Sequence, residues 1–344
     1  MINVLITAVG DDIGRGLLKS LRLSLYKLNI IGTDINPETA GIFMCDKGYI
    51  VPPAQNKIQY LKRIINICKK EKIDIIFSCH EKEQQVFAAN IPVLSKSIKA
   101  YVVVPPIEVV SLCQDKLRTY KFLSQKDIRV PETVATKKGA EELIEKYDFP
   151  LVLKSRTGSG SRYFHVVKNE KEFNKFWYEI PEPIAQEYII SAPEEEYTVG
   201  IFLDKKAKAL GAITMLRKLC YGLTSYAIAD DYPEITKLAI TAAESVGAIG
   251  PCNVQLRRDG KDSPCVIEIN PRISSTTAFR AMLGFNEGRA AVDYFLKNKK
   301  PDLKFKKGVC IKTWGEIVVP VESSKKLKET GKINNKTYEK LYSF

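Results

Sequence analysis

The sequence predicts an α/β protein that opens with a Rossmann-like region. Three observations carry this. Over the first hundred residues, short apolar runs alternate with stretches of helical periodicity, the pattern of a parallel sheet with helical crossovers. From Glu196 the chain becomes richer in strand-like runs. Its 344 residues, at about 150 per domain, allow two or three domains and a large buried core.

In order, VLITAV reads as a strand, GRGLLKSLRLSL as a helix and NIIGTDI as the next strand. YLKRIINICKKEK is a helix and IDIIFSC a strand, followed by another helix and the strand YVVVPP. A new segment opens near Ser111, where SLCQDKLRTYKFLSQKD reads as one amphipathic helix before VPETVAT. Next come helix GAEELIEKYD, strand PLVLKS, loop RTGSGSR, strand YFHVVK, helix KEFNKFWYEI and strand IAQEYI. The strand-rich part holds EYTVGIFLD, KALGAITML, helix PEITKLAITAAESVG and a hairpin of NVQLRR with CVIEIN, joined by the turn residues DGKDSP. One helix containing RAMLGFNEGRAAVDYFLK and one strand GVCIKTWGEIVV complete the chain.

Composition narrows the functional classes. With 45% hydrophobic and 27% charged residues, the chain is of ordinary soluble globular type. No run approaches the roughly 20 uninterrupted apolar residues of a membrane span. MINVLITAVGDD has no basic segment ahead of a cleavable apolar one, so a cytoplasmic location without membrane association is expected. The eight cysteines form no C-x-x-C pair and suit buried, reduced thiols. The net charge of +13 comes mainly from dispersed lysine, densest near the C-terminus, and suits a solvated surface rather than a nucleic-acid partner.

The glycines after the first strand, Gly10, Gly14 and Gly16, imitate a dinucleotide fingerprint, with Asp34 where a ribose-binding acid would stand. The spacing is G-x-x-x-G-x-G, however, and Asp11 and Asp12 would repel a pyrophosphate, which argues against an NAD(P) oxidoreductase. These glycines are expected to serve a tight turn, with an acceptor-substrate contact as the other use. A second glycine-rich stretch has a different character. Lys154 ends an apolar strand and leads into Arg156, Gly158, Ser159, Gly160, Ser161 and Arg162, a set of backbone amides, hydroxyls and cations suited to a triphosphate. It is not a Walker A loop, and an exposed loop with incidental cations has the same composition.

The hairpin around EINPR is the most informative stretch. Strand alternation puts Val266, Glu268 and Asn270 on one face and Cys265, Ile267 and Ile269 on the other. Gln255, Glu268 and Asn270 then gather with Arg272 just beyond. One carboxylate and two amide oxygens are hard ligands suited to Mg2+ bridging nucleotide phosphates. Of the two histidines, His80 follows a strand of the first sheet, where it is a loop residue or a substrate contact, and His165 reads as a sheet residue. No Ser-His-Asp set or His/Cys metal cluster is evident.

Together these residues resemble the ATP-grasp superfamily, in particular its carbamoyl-phosphate-synthase-like members with one ATP-grasp unit and an N-terminal pre-ATP-grasp domain. The resemblance rests on DKLRTY, LKSRTGSGSR, AQEYI, EEEYTV, NVQL and EINPR in that order, over about residues 1–320. It implies a Rossmann-like pre-ATP-grasp domain at 1–110, then a two-lobed α+β ATP-grasp domain. The small lobe with its glycine-rich lid would be 111–190 and the large lobe with the magnesium site 191–322, leaving a Lys-rich tail at 323–344.

By the same resemblance, Lys116 and Lys154 contact ATP phosphates, and a lid with Arg156, Gly158, Ser159, Gly160 and Ser161 closes over them. Gln186, Glu187 and Ile189 form the adenine hinge. Glu196 binds ribose, with Glu194 and Glu195 as register alternatives. Gln255, Glu268 and Asn270 hold Mg2+, while Arg272 and Lys154 act on the transferring phosphate. The implied activity is an ATP- and Mg2+-dependent carboxylate–amine ligase acting through an acyl phosphate on small-molecule substrates, in a chain able to form a homodimer. An ATP-binding accessory protein without turnover is the alternative. Tyr163 departs from the family's small lid residue, and Arg280 and Asn286 follow the motif with no assigned role.

Overall fold

A computed structural model describes residues 1–158, 163–189, 196–258, 263–313, 315, 317–335 and 341–342. The α/β class expected from the sequence is the class observed. The N-terminal part runs β1 (Ile2–Ile6), α1 (Asp12–Arg22), β2 (Leu28–Asp34), α2 (Ala40–Met44), β3 (Lys47–Ile50) and α3 (Lys57–Glu71), then β4 (Ile75–Phe77), α4 (Glu81–Ala89), α5 (Ile91–Ser97) and β5 (Tyr101–Val103). Strands β3, β2, β1, β4 and β5 lie side by side in that order, all parallel. Both sheet faces are covered, which explains the unbroken Val/Ile runs. Val4, Ile6 and Ile30 pack into one core, Leu5, Ile31 and Ile76 into the other.

The middle of the chain forms α6 (Ile107–Gln114), α7 (Lys116–Ser124), β6 (Thr133–Val134), α8 (Lys137–Tyr147), β7 (Leu151–Ser155), β8 (Phe164–Val167), α9 (Glu170–Glu179) and β9 (Pro183–Glu187). Its sheet, in the order β6-β9-β7-β8, is antiparallel and packs Leu151 and Leu153 with Phe173 and Trp177 of α9.

A larger antiparallel sheet follows, built from β10 (Glu196–Leu203), β11 (Ala209–Cys220), β12 (Leu223–Ala229), α10 (Pro233–Ser245), β13 (Gly250–Arg258), β14 (Pro264–Asn270), α11 (Thr277–Met282), α12 (Glu287–Ala291), a π-helical turn at Val292–Leu296 and β15 (Gly308–Ile311). Its order is β14-β13-β10-β11-β12-β15. Ile235, Ala239 and Ala242 of α10 cover one face, against Val254, Leu256, Val266 and Ile269. On the other face Phe202, Ile213 and Met215 join the core of the N-terminal sheet. The chain then forms β16 (Ile317–Val318), α13 (Val321–Thr330), β17 (Lys332–Asn334) and β18 (Leu341–Tyr342), with β16 paired to β18. β17 returns to the first sheet and adds an antiparallel strand beside β3.

Several expected elements divide. The helix read across SLCQDKLRTYKFLSQKD is two, because Asp115 leaves helical geometry and caps α7 by accepting from the Arg118 amide at 3.0 Å. The helix read across RAMLGFNEGRAAVDYFLK breaks at Gly284, whose φ of +109° ends α11, and Asn286 caps α12. GVCIKTWGEIVV supplies two separate strands, β15 and β16, in different sheets. β3, β12 and β17 lie where no strand was read, being short or polar at alternate positions. All eight cysteines are free; Cys220, at the β11–β12 turn, is exposed and the others are buried.

Candidate active site

The two antiparallel sheets bring their polar ends together. On the smaller, Lys154 sits near the end of β7 and is only 9% exposed. Its Nζ donates to the Tyr120 hydroxyl at 2.8 Å and lies 5.1 Å from that ring's centroid. Burial drives the Lys154 ammonium down to about 8, with Glu268 opposing the fall and Arg257 adding to it. Lys116 opens α7, where its Nζ donates to the Gly158 carbonyl at 2.6 Å and its amide to the Arg156 carbonyl at 3.0 Å. Arg156 makes a two-bonded pair with Asp115, at 2.9 and 2.6 Å, so its guanidinium is engaged within the chain. Gly158 has φ +91°, and no described residue lies within 4 Å of where its Cβ would stand. Ser159, Gly160, Ser161 and Arg162 lie outside the described residues, as do Glu194 and Glu195.

The expected hinge residues line one strand end. Gln186 is buried and donates to Thr133 Oγ1 at 2.8 Å; the Glu187 carboxylate accepts from the Glu132 amide at 3.1 Å; Ile189 is buried.

On the larger sheet, strict alternation along CVIEIN does not hold. Gln255 pairs with Glu268, but Leu256 pairs with Val266, so a bulge skips Ile267. Val266 therefore joins Ile269 in the apolar core, and Cys265 shares its pairing with Arg257 instead. Glu268 and Asn270 lie opposite Gln255 and Asn253. The Glu268 carboxylate accepts no hydrogen bond from the described residues. Gln255 is placed otherwise: its Oε1 accepts from Arg217 Nη2 at 2.9 Å.

Glu196 is held from two sides, by Arg217 at 2.5 Å and Arg257 at 2.8 Å. Burial alone would raise its carboxyl, but the two arginines outweigh it and hold the group below the usual carboxylate range. The Arg272 side chain pairs with Glu81 of α4 at 3.6 Å and donates to the Ile273 carbonyl, while Gln84 of the same helix donates to the Pro271 carbonyl at 2.7 Å. The end of the carboxylate strand is thus docked on the carboxyl edge of the first sheet.

Arg280 has a structural role. It is fully buried, pairs with Glu287 at 3.1 Å and also donates to Asn253, Ser274 and Thr276. It lies across Gly200, where a Cβ would sit 1.7 Å from its Nη1. Asn286 bonds α1 through Ser20. His80 caps α4 by accepting from the Lys82 amide at 3.2 Å, and His165 stacks on Phe176. Sequence reasoning missed Tyr120, Arg217 and Arg257. Arg257 was within reach, since it stands two residues from Gln255 on the same strand face; Arg217 meets Glu196 only through the β10–β11 register.

Comparison with known proteins shows which domains carry this arrangement. Residues 113–276 match the ATP-grasp domain, and residues 4–99 match the PylC-like N-terminal domain. The chain carries an ATP-grasp domain. The chain is 25% identical over 284 residues to the carbamoyl phosphate synthase large chain of Thermoplasma volcanium. That alignment takes in 76% of the chain and 26% of the relative, so the chain spans about a quarter of the relative's length. Its fold is that of N5-carboxyaminoimidazole synthetase from Staphylococcus aureus complexed with ADP (TM-score 0.68, 14% identity, 96% of this chain and 85% of that one). An L-amino acid ligase from Bacillus licheniformis is similar as well (0.64, 19% identity, 86% and 74%), as is biotin carboxylase from Campylobacter jejuni (0.66, 17%, 84% and 70%).

Among the described residues no group of three His, Cys, Asp or Glu side chains could hold a metal ion unaided, and no helix is long and apolar enough to cross a membrane. The donor set nevertheless fits the magnesium that ATP-grasp proteins use. Magnesium binds through one or two carboxylates with phosphates and water completing its shell. Glu268, which accepts no hydrogen bond from the described residues, and Asn270 two residues on supply such a partial set.

Proposed function

We propose that this ATP-grasp protein is an ATP- and Mg2+-dependent ligase that activates a small-molecule carboxylate as an acyl phosphate and passes the acyl group to an amine. The observation that carries the reading is the electrostatic pairing of a buried lysine, Lys154, on one antiparallel sheet with Glu268 on another, a carboxylate that accepts from no described residue, in a chain with an ATP-grasp domain. In this reading, residues 1–110, 111–190 and 191–322 are the three working parts, and the segment 323–344 braces the first of them.

A carboxylate oxygen of the substrate attacks the γ-phosphorus and ADP leaves; the amine then attacks the acyl carbon, inorganic phosphate leaves, and the amine gives up a proton. Lys116 and Lys154 hold the phosphates by charge and hydrogen bonds, and Arg272 neutralises charge on the transferring group. Gln186, Glu187 and Ile189 seat the adenine. Glu196, or one of the two acids before it, takes the ribose; of the three, Glu196 would first have to share its oxygens with Arg217 and Arg257. Glu268 and Asn270 would hold magnesium, which supplies charge neutralisation on the phosphates when bound. A closed site excludes water from a hydrolysable intermediate.

Melting the protein with ATP plus Mg2+, ATP alone and NADH tests the nucleotide site, since a ligand that binds only the folded state raises the melting temperature. A magnesium-dependent shift with ATP and none with NADH is expected, followed by ADP release on a panel of carboxylates and amines. A shift from NADH alone would overturn the reading.

A further inference from the structure

Tyr120 lies one turn after Lys116 on α7, is 3% exposed, and packs its ring with Leu117 and Ile184. Its hydroxyl works in both directions. It accepts from Lys154 Nζ at 2.8 Å and donates to the Ile267 carbonyl at 2.5 Å. Ile267 is the residue that the bulge leaves without a partner on β13, so its backbone oxygen is an acceptor in want of a donor. A phenol has one proton. With that proton given to Ile267, the oxygen can only accept, from Lys154 and from Gln186, which orients the ammonium and leaves its other N–H groups for a ligand. The two bonded partners belong to different sheets, and Ile267 directly precedes Glu268.

We infer that Tyr120 is a positioning residue whose hydroxyl holds the Lys154 ammonium in register with the bulge that places Glu268, and so sets the grip on nucleotide phosphates. The inference rests on the nucleotide-site reading above. Neither bond concerns the adenosine part of a nucleotide, so the effect should appear with phosphates and vanish without them.

The test is calorimetric binding of ATP and of adenosine, both without metal, to the wild-type chain, Tyr120→Phe, Lys154→Ala and the double variant. Tyr120→Phe is expected to weaken ATP about tenfold, the size of one hydrogen bond to a charged group, with adenosine changed less than about twofold. In the Lys154→Ala background the same change should add less than about twofold to the ATP loss, because the group it positions is gone. Unchanged ATP binding in Tyr120→Phe, a parallel loss of adenosine, or a full tenfold loss in the double variant would each overturn the inference. Failure of the underlying reading has its own mark: Lys154→Ala alone would then bind ATP as the wild type does. Tyr120→Leu, which likewise removes the hydroxyl and offers no polar group in its place, serves as a second variant with the same expected and contrary outcomes should the phenylalanine chain not fold.

Discussion

Two glycine-rich turns follow two strands in this chain, and their glycines do different work. After β1, a Cβ on Gly14 would meet the Ala8 carbonyl oxygen at 2.4 Å, and one on Gly41 the Val9 carbonyl at 2.0 Å. After β7, at φ +91°, a Cβ on Gly158 would have no described residue within 4 Å. The first turn lacks side chains because backbones touch there; the second needs a backbone geometry, with no described residue against its glycine. Nearby carboxylates follow the same division. Glu83, buried beneath the first turn, accepts from Thr7 at 2.7 Å, whereas Glu268 accepts from no described residue. Glycine content alone therefore says little, and what separates a packed turn from a ligand site is whether neighbouring polar groups are already bonded.

The contrast can be broken or sharpened by substitution. The largest effect is expected from Glu268→Gln or Lys154→Ala, which should lower ADP formation about 10³-fold, read in a coupled ADP assay, with Glu268→Gln leaving the melting temperature near wild type. Gly14→Ala should do the reverse, destabilising the fold by about 3 kcal/mol in urea titrations because a backbone must move.

Glu83 gives a pH signature of the closed turn. Burial pushes its carboxyl up to about 7, with Thr7 opposing, so the folded chain binds more protons than the unfolded one between the ordinary carboxylate value and 7. Its contribution to stability is greatest below that window and falls as pH rises through it, by up to about 3 kcal/mol. Urea titrations at pH 5 and pH 8 should show that fall, and Glu83→Gln should flatten it without altering ADP formation. Gly158→Ala is the smallest perturbation, about 1 kcal/mol from a side chain at positive φ. A melting drop as large as that of Gly14→Ala would erase the distinction between the turns.

Much of the fold was legible because its signals are local. Four of the five parallel strands, β1, β2, β4 and β5, announce themselves as apolar runs between helical stretches, and Lys154, Glu268 and Asn270 can be placed by counting along their strands. The bulge at Ile267 could not be, since it depends on how β13 and β14 register. It turns Val266 into the core beneath α10 and leaves Cys265 buried outside that cluster, against simple alternation. The partners of Arg156 and Gln255 were hidden for the same reason: Asp115 and Arg217 approach them through tertiary packing between elements 41 and 38 residues apart. The break at Asp115 was readable in principle, as an acid three residues before the Arg118 amide it caps.

The strand that β17 adds beside β3 bears on how the chain is made. Lys332 pairs with Tyr49, so about 280 residues are synthesised between one side of this ladder and the other. At roughly 5–20 residues per second, β3 waits for tens of seconds with an open edge, the kind of edge that recruits other chains. A ribosome-bound intermediate halted before residue 330 should therefore need shielding by chaperones more than the finished protein does.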